Sequence, residues 1–562
     1  MIETPVRRPW DAVVEALRAE GVSHVFGFGG GDFYDALAQV PAITPVLVRI
    51  QTSGVFMAMA MARLTGRPGV CFAPPGPGVA NLVPGLLEAE SACAPLVVLA
   101  GAASTANAGA GAFQDVDQLR LVEAVTKARF RITRPERTSW AMRRAFALAR
   151  NGRPGPVYFE IPVDVGGVRL PIPPYAPSPH PLRSAPDPAD IERAAALLAQ
   201  AERPVLVAGG GAVASRAFAE VRALAERLAM PVLTTPCGRG ILAEDHLLAL
   251  GLVGLYLTEP GEQAYGEADL VLGLGSRNED FQTGRQTYFP AGARYIQVDI
   301  EPGEIGRNWI PDVALVGDVA LTIRALLAAL PENPGAQARR EARAREVQAR
   351  ARAYEARVAE ECRTAAVPLR SKRIVRELNE VFGRTTTLIN ENGSQDLWSY
   401  SWPYYRVLDI NACVAPGEQT CMGFGVAGAI GAKLAQPDRY VVCVTGDGAF
   451  QMFAKELPTA VEHRAPVLWV VLNNRALGWT RFNQQRTTGR VIASEFAVQP
   501  DFAELARLSG CRGERVEHPD AIRPALERAR AWLDDGHPVV LDFVVDSTEY
   551  PPGFVQWYRR NL

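Results

Sequence analysis

Between Gly446 and Asn474 the chain reads Gly446-Asp447-Gly448, then 24 residues, then Asn473-Asn474. Tyr440 to Thr445 is an apolar run of strand length, and Gly446-Asp447-Gly448 is a tight turn. Ala449 to Glu462 has a helical pattern, and Val467 to Leu472 is a second buried strand ending at the asparagines. Parallel strands joined by a helix bring both turns to one sheet edge, where α/β sheets bind ligands. Asp447 and Asn474 would there offer hard oxygens of the kind Mg²⁺ takes together with backbone carbonyls, water and phosphate. Gly446 and Gly448, followed by the small Ala449, let the backbone approach a diphosphate at a helix start.

The same alternation recurs in three blocks. Residues 1–175 contain an amphipathic segment from Trp10 to Glu20 and strand-like runs at Ser23–Phe26, Gly69–Phe72 and Pro95–Ala100. A proline-rich stretch, Pro171 to Pro188, is the expected linker. Residues 189–345 contain Pro204–Ala208, Leu270–Gly275 and Tyr295–Ile300 as strands. Asn333 to Arg363 is rich in Ala, Arg and Glu and reads as an exposed linking helix. Residues 366–562 hold the Gly-Asp-Gly unit. The expected fold class is α/β, with three doubly wound parallel-sheet domains.

An apolar fraction of 48% in 562 residues suffices for several cores, and a net charge of −2 implies no nucleic-acid or membrane field. The eight Cys form no Cys-x-x-Cys pair and the six His are dispersed, so neither a zinc site nor a disulfide framework is indicated. With no leader pattern and no long apolar run, a soluble, cytoplasmic protein is expected.

The Gly-Asp-Gly…Asn-Asn unit resembles the diphosphate-binding motif of thiamine-diphosphate enzymes. Thr420-Cys421-Met422-Gly423-Phe424-Gly425 is similar to the stretch that grips the thiazolium. Gly76-Pro77-Gly78 with Asn81, and Ala112-Phe113-Gln114-Asp115-Val116-Asp117, resemble the amino-terminal domain of the acetolactate synthase and glyoxylate carboligase-like branch. Such matches run in family order from about residue 10 to about residue 550.

The resemblance implies pyrimidine-binding, central and diphosphate-binding domains and assigns residues. Asp447, Asn474 and the backbone carbonyl of Ala476 are the implied Mg²⁺ ligands. Gly393, Ser394, Gln395, Gly446, Gly448, Ala449 and Gly478 fall among the coenzyme contacts, with Asn81 on the pyrimidine side. Met422 takes the place of the apolar wedge that bends the coenzyme. The Thr420 carbonyl takes that of the acceptor for its 4′-amino group, although the family's usual residue there is Gly.

Deprotonation of the coenzyme is where the chain departs most. Relatives carry a glutamate that hydrogen-bonds the pyrimidine N1′ and helps the coenzyme lose its C2 proton. Aligning Arg63-Leu64-Thr65-Gly66 with the end of that helix puts Gln51 at the position, and an amide cannot supply a proton. Ile50, Met59 and Met61 replace the usual His, Asp and Tyr. Glyoxylate carboligase-like enzymes also lack the glutamate. Two carboxylates are candidate replacements: Asp32, which reads equally as a helix cap, and Glu418, which reads also as a solvated loop residue. Gln114 is implied to contact the bound intermediate, or reads as a polar loop residue bonded to nearby backbone, and Phe113 beside it would wall the pocket. Trp479 stands near the reactive carbon, as a wall of the acceptor site or as simple packing.

Gly209-Gly210-Gly211, Gly275-Ser276-Arg277, Thr283-Gly284, Asp299-Ile300-Glu301-Pro302 and Gly317-Asp318 fall where relatives bind FAD or ADP. The expected activity is Mg²⁺-dependent decarboxylation of a 2-oxo acid with carboligation to a carbonyl acceptor. Carbon–carbon lysis of a 2-hydroxyacyl or diketone substrate, or a non-catalytic cofactor-binding paralogue, are the alternatives. A homodimer or homotetramer with shared active sites is expected, the partners being small carbonyl compounds. The tail from Tyr550 to Leu562 would fold over the entrance or pack on the surface.

Overall fold

The computed structural model describes residues 4–177 and 181–561, so the proline-rich linker lies partly outside the described residues. The fold comprises three six-stranded parallel sheets, besides a short antiparallel pairing of Val6–Arg7 with Leu170–Pro171. The chain divides into two compact units. One is Met1–Leu182 with Gln419–Gln436 and Phe453–His463; the other is Arg183–Glu418 with Pro437–Met452 and Arg464–Leu562.

The first unit holds β1 (His24–Gly27), β2 (Thr44–Leu47), β3 (Gly69–Ala73), β4 (Leu96–Ala102), β5 (Ala128–Arg131) and β6 (Pro156–Pro162), in the order β2-β1-β3-β4-β6-β5. Leu96 to Ala100 are all buried, as an apolar run covered on both faces must be. Helix Gln51–Thr65 packs on this sheet and against helix Phe424–Ala435, with Phe56 edge-on to Phe424 at 5.6 Å. Gly423, which precedes the latter helix, has φ 89°, and a Cβ there would lie 1.8 Å from the Phe453 ring. Only glycine meets both conditions.

The second unit contains two sheets. The central one has β7 (Pro204–Ala208), β8 (Val232–Thr234), β9 (Ala249–Leu252), β10 (Leu270–Leu274), β11 (Arg294–Asp299) and β12 (Val313–Val316), ordered β9-β8-β7-β10-β11-β12. The last has β13 (Thr386–Asn390), β14 (Cys413–Val414), β15 (Tyr440–Gly446), β16 (Val467–Asn473), β17 (Arg512–Val516) and β18 (Val539–Val544), ordered β14-β13-β15-β16-β18-β17. In both, the order reverses between neighbouring strands, which opens a crevice at the carboxyl ends.

Two sequence expectations are corrected. Helix Pro334–Glu361 is not simply exposed. Ala336, Arg340, Ala344, Val347, Ala351, Tyr354 and Val358 form a buried stripe at helical spacing, and Arg340 donates to the carbonyl of Ala201 at 3.0 Å. Small residues conceal a packed face because alanines let a helix lie close without large side chains. The stretch 449–462 is not one helix either. Asp447–Phe453 gives way to a 3-10 turn at Ala454–Glu456, and a new helix starts at Leu457 with Pro458 in its first turn. Proline lacks the N–H that a continuous helix would need there.

Candidate active site

On the third sheet, Gly446 of β15 pairs in register with Leu472 of β16. Asp447 and Asn474 therefore follow the carboxyl ends of adjacent parallel strands. Asp447 is 1% exposed, and its Oδ2 accepts from the side-chain amide of Gln499. Burial lifts its carboxyl to about 6, while the Gln499 amide and the Gly448 and Arg475 N–H groups pull the other way. Asn474 Oδ1 accepts from the N–H of Ala476 at 3.2 Å, which shapes the turn. Asn473 points elsewhere and donates to Asp542 at 2.9 Å.

Among the described residues, the buried Asn474 Nδ2 and Ser394 Oγ have no hydrogen-bond partner. A Cβ on Gly478 would lie 2.1 Å from Ser394 Oγ and 2.7 Å from Asn474 Nδ2, so both groups crowd the same glycine. Orphaned buried donors are costly unless a ligand completes them. A buried carboxyl raised by desolvation is likewise stabilised by a cation. The donor set of one carboxylate, one amide oxygen and nearby carbonyls suits Mg²⁺, and the unpaired donors suit a diphosphate. Gln395 behaves differently from its neighbours. Its Oε1 accepts from Ser371 at 2.7 Å and its Nε2 faces the carbonyls of Asp546 and Glu549, so it ties the loop down. A Cβ on Gly393 would come 2.7 Å from Asp396 Oδ1.

The pyrimidine-side residues lie in the first unit. Gln51 opens helix Gln51–Thr65, is 2% exposed, and accepts from Asn81 Nδ2 at 3.1 Å. Thr52 donates to the Asn81 carbonyl, so Asn81 is held from two sides. Thr420 has φ 49°, the left-handed region in which the family's glycine is at ease and a β-branched residue is strained. Its neighbours are pinned: the N–H of Cys421 donates to Glu88 and that of Gln419 to Ser91. Met422 is half-buried.

Asp32 does not cap a helix. Gly30 is the cap of Gly31–Leu37, and Asp32 lies half-buried in the first turn. Gln114 has φ 59°, and a Cβ on Gly76 would stand 3.0 Å from its Cβ; Phe113 beside it is 88% exposed. The polar hub of that region is Gln118, which the sequence did not single out. It accepts from the Gly76 N–H at 2.8 Å and donates toward Glu160 at 2.7 Å.

In the second unit Glu418 accepts from the N–H of Phe281 at 2.9 Å. Burial first, then the neighbouring Glu279, lifts its carboxyl to about 7. Replacing it by Gln removes a titration. The folded protein holds a proton on Glu418 between its ordinary 4.5 and about 7 that the unfolded chain has released. Wild-type stability is therefore expected to fall as pH rises through that window, and the Glu418→Gln variant to lose this slope. Denaturant melts across the window check it; parallel curves would contradict the burial.

Trp479 sits in an aromatic cluster with the tail. Its indole N–H donates to the Tyr558 hydroxyl, and its ring meets Phe554 edge-on at 5.0 Å. Helix Pro552–Asn561 also buries Trp557 and packs on Tyr256, so the tail is part of the core of this unit.

On the central sheet, a Cβ on Gly209 would meet the Gly275 carbonyl oxygen at 2.2 Å; these glycines let two turns touch. Asp318 caps helix Val319–Ala329 and accepts from Ser215 at 2.9 Å. Asp299 holds the N–H of Glu301 at 2.9 Å, and the buried hydroxyl of Thr234, at the end of β8, has no partner among the described residues.

Glu88, Gln118 and Gln499 carried no motif. Glu88 shares a helix face with Pro84 and Ser91, a row without large apolar residues, which is the one trace in the sequence of something polar packed against it.

Comparison with known proteins agrees with this architecture. Residues 9–121 match the thiamine pyrophosphate enzyme N-terminal TPP binding domain, 191–326 the central domain, and 393–543 the C-terminal TPP binding domain. The chain is 35% identical to a probable acetolactate synthase large subunit of Methanocaldococcus jannaschii, covering 97% of this chain and 93% of that protein. It is 31% identical to the acetolactate synthase isozyme 3 large subunit of Escherichia coli K12, covering 96% and 95%. Three parallel-sheet domains in family order and relatives matched along almost their whole length lead to one assignment: the chain belongs to the thiamine pyrophosphate enzymes and is a thiamine-diphosphate-dependent carboligase or decarboxylase related to acetolactate synthase.

Proposed function

We propose that this enzyme uses Mg²⁺ with its coenzyme to decarboxylate a 2-oxo acid and join the resulting fragment to a carbonyl acceptor. The observation that carries this reading is the register of β15 and β16, with Asp447 and Asn474 at one sheet edge beside the unpaired Ser394 Oγ and Asn474 Nδ2. When bound, thiamine diphosphate supplies a nucleophilic carbon that also accepts the electrons released on decarboxylation. The chain's part is to bind and to move protons. Asp447, Asn474 and the Ala476 carbonyl would hold the cation. Ser394, Gly446, Gly448, Ala449 and Gly478 would accommodate the diphosphate, with Gly393 and Gln395 shaping the loop. Met422 would wedge under the rings, the Thr420 carbonyl would accept from the amino group, and Gln51 with Asn81 would face N1′. Glu418, protonated near neutrality, is the group suited to hold and release a proton. Gln114, Asp32 and Trp479 are proposed as pocket residues.

Domains are proposed at 1–175, 189–345 and 366–562, in a cytoplasmic homodimer or homotetramer. Among the described residues no helix is long and apolar enough to cross a membrane. FAD or ADP on the central sheet is proposed from the resemblance, with Thr234 and Asp299 as its polar contacts.

Carbon dioxide release from pyruvate is expected only when both coenzyme and Mg²⁺ are added. Coenzyme binding without turnover of any 2-oxo acid tried would instead favour the non-catalytic reading, which Gln51 makes worth testing.

A further inference from the structure

One buried contact of the first unit is not used by the reading above. Glu88, on helix Val83–Ser91, is fully out of solvent. Its Oε2 accepts the backbone N–H of Cys421 at 2.7 Å, at the short end of the N–H···O range. One turn along the same helix, the Ser91 hydroxyl oxygen accepts the N–H of Gln419 at 3.3 Å. On the other side of Glu88, Cys421 Sγ donates to the Pro84 carbonyl at 3.5 Å. The helix thus grips both flanks of Thr420, the residue held at φ 49°.

The N–H of Cys421 and the carbonyl of Thr420 are the two ends of one planar peptide group. An acceptor on the N–H end draws the proton outward and increases the electron density on the oxygen end. This is the mutual polarisation of linked hydrogen bonds, and it is strongest where water is excluded. An ionised acceptor does so about twice as strongly as a neutral one. The Thr420 carbonyl is also the oxygen that faces the coenzyme's amino group in the functional reading above, on which this inference rests.

We propose that Glu88 is a positioning residue that fixes the 419–421 stretch and, through the Cys421 N–H, strengthens the Thr420 carbonyl as an acceptor for the coenzyme's amino group. Negative charge would then act on the amino side of the pyrimidine ring, through a peptide, where Gln51 supplies none at N1′. A stronger acceptor on one of the amino group's N–H bonds would raise the electron density of its nitrogen and so its capacity to take up a proton. No bond is made or broken by Glu88 itself.

The test uses the full-length protein with thiamine diphosphate and Mg²⁺. Three quantities are measured for wild type, Glu88→Gln, Glu88→Ala and Ser91→Ala: coenzyme affinity by tryptophan fluorescence, C2 proton exchange of the bound coenzyme by NMR, and backbone deuterium uptake of residues 419–424 without coenzyme. Glu88→Gln keeps shape and an acceptor oxygen but loses the charge. It is expected to bind coenzyme within about threefold of wild type and to exchange the C2 proton at least about tenfold more slowly, the difference between a charged and a neutral acceptor. Glu88→Ala is expected to raise deuterium uptake at 419–424, and Ser91→Ala to do so more weakly with the exchange rate preserved. Wild-type exchange in Glu88→Gln, or unaltered uptake in Glu88→Ala, overturns the inference. A wild-type protein that binds no coenzyme defeats the functional reading instead, and the uptake measurement still reports whether Glu88 holds the stretch.

Discussion

Replacing Asp447 by Ala is expected to abolish Mg²⁺-dependent coenzyme binding, weakening it by at least about a hundredfold, since truncating one member of a buried charged contact costs about 2–5 kcal/mol. The carboxylate is 1% exposed at the end of β15, next to the strand that delivers Asn474. A diphosphate brought there without a cation would meet a buried negative charge of its own sign. With Asp447 gone, the cation loses its one anionic protein ligand of the proposed set, and the Gln499 amide loses its acceptor. Asp447→Asn separates the two effects. It preserves the shape and a carbonyl oxygen for Gln499 while removing the charge. Titrations of coenzyme with and without Mg²⁺ read the result, and binding retained in both variants would refute Asp447 as a ligand.

The second large effect is a gain. Gln51→Glu is expected to accelerate C2 proton exchange of the bound coenzyme by about a hundredfold, the lower range of a positioned acid or base. The site is prepared for a carboxyl group. Gln51 is buried at the first residue of its helix, and its side-chain oxygen already accepts from Asn81. A glutamate would keep that bond with one oxygen and present the other to N1′. Burial would raise its pKa toward neutrality, so that it could hold a proton there. Coenzyme affinity should change little, because neither the diphosphate contacts nor the wedge are touched. An exchange rate equal to wild type would mean that position 51 does not face the ring.

What the sequence disclosed, and what it withheld, follows from range. β7, β15 and β16 were legible because a run of apolar residues bounded by glycine or asparagine has few other readings. The shared edge of Asp447 and Asn474 was legible because a parallel crossover leaves no alternative. Hidden features depend on partners distant in sequence. The Pro334–Glu361 helix buries alanines against residues far from it in the chain, and an alanine-rich stretch looks alike whether solvated or packed. Trp479 reads locally as a pocket wall, yet its partners, Phe554 and Tyr558, come from the tail. The break at Leu457 was signalled by Pro458, and the helical pattern on either side masked it. Glu88 is the extreme case. Its role requires knowing that Cys421, more than three hundred residues later, passes over its helix.

The first compact unit is discontinuous along the chain: it needs the segments at 419–436 and 453–463 as well as residues 1–182. Severing the protein at its proline-rich connector would therefore not release a self-sufficient amino-terminal module. The fragment would lack the partner of helix Gln51–Thr65, leaving Phe56 and Met57 bare, and would be prone to aggregate.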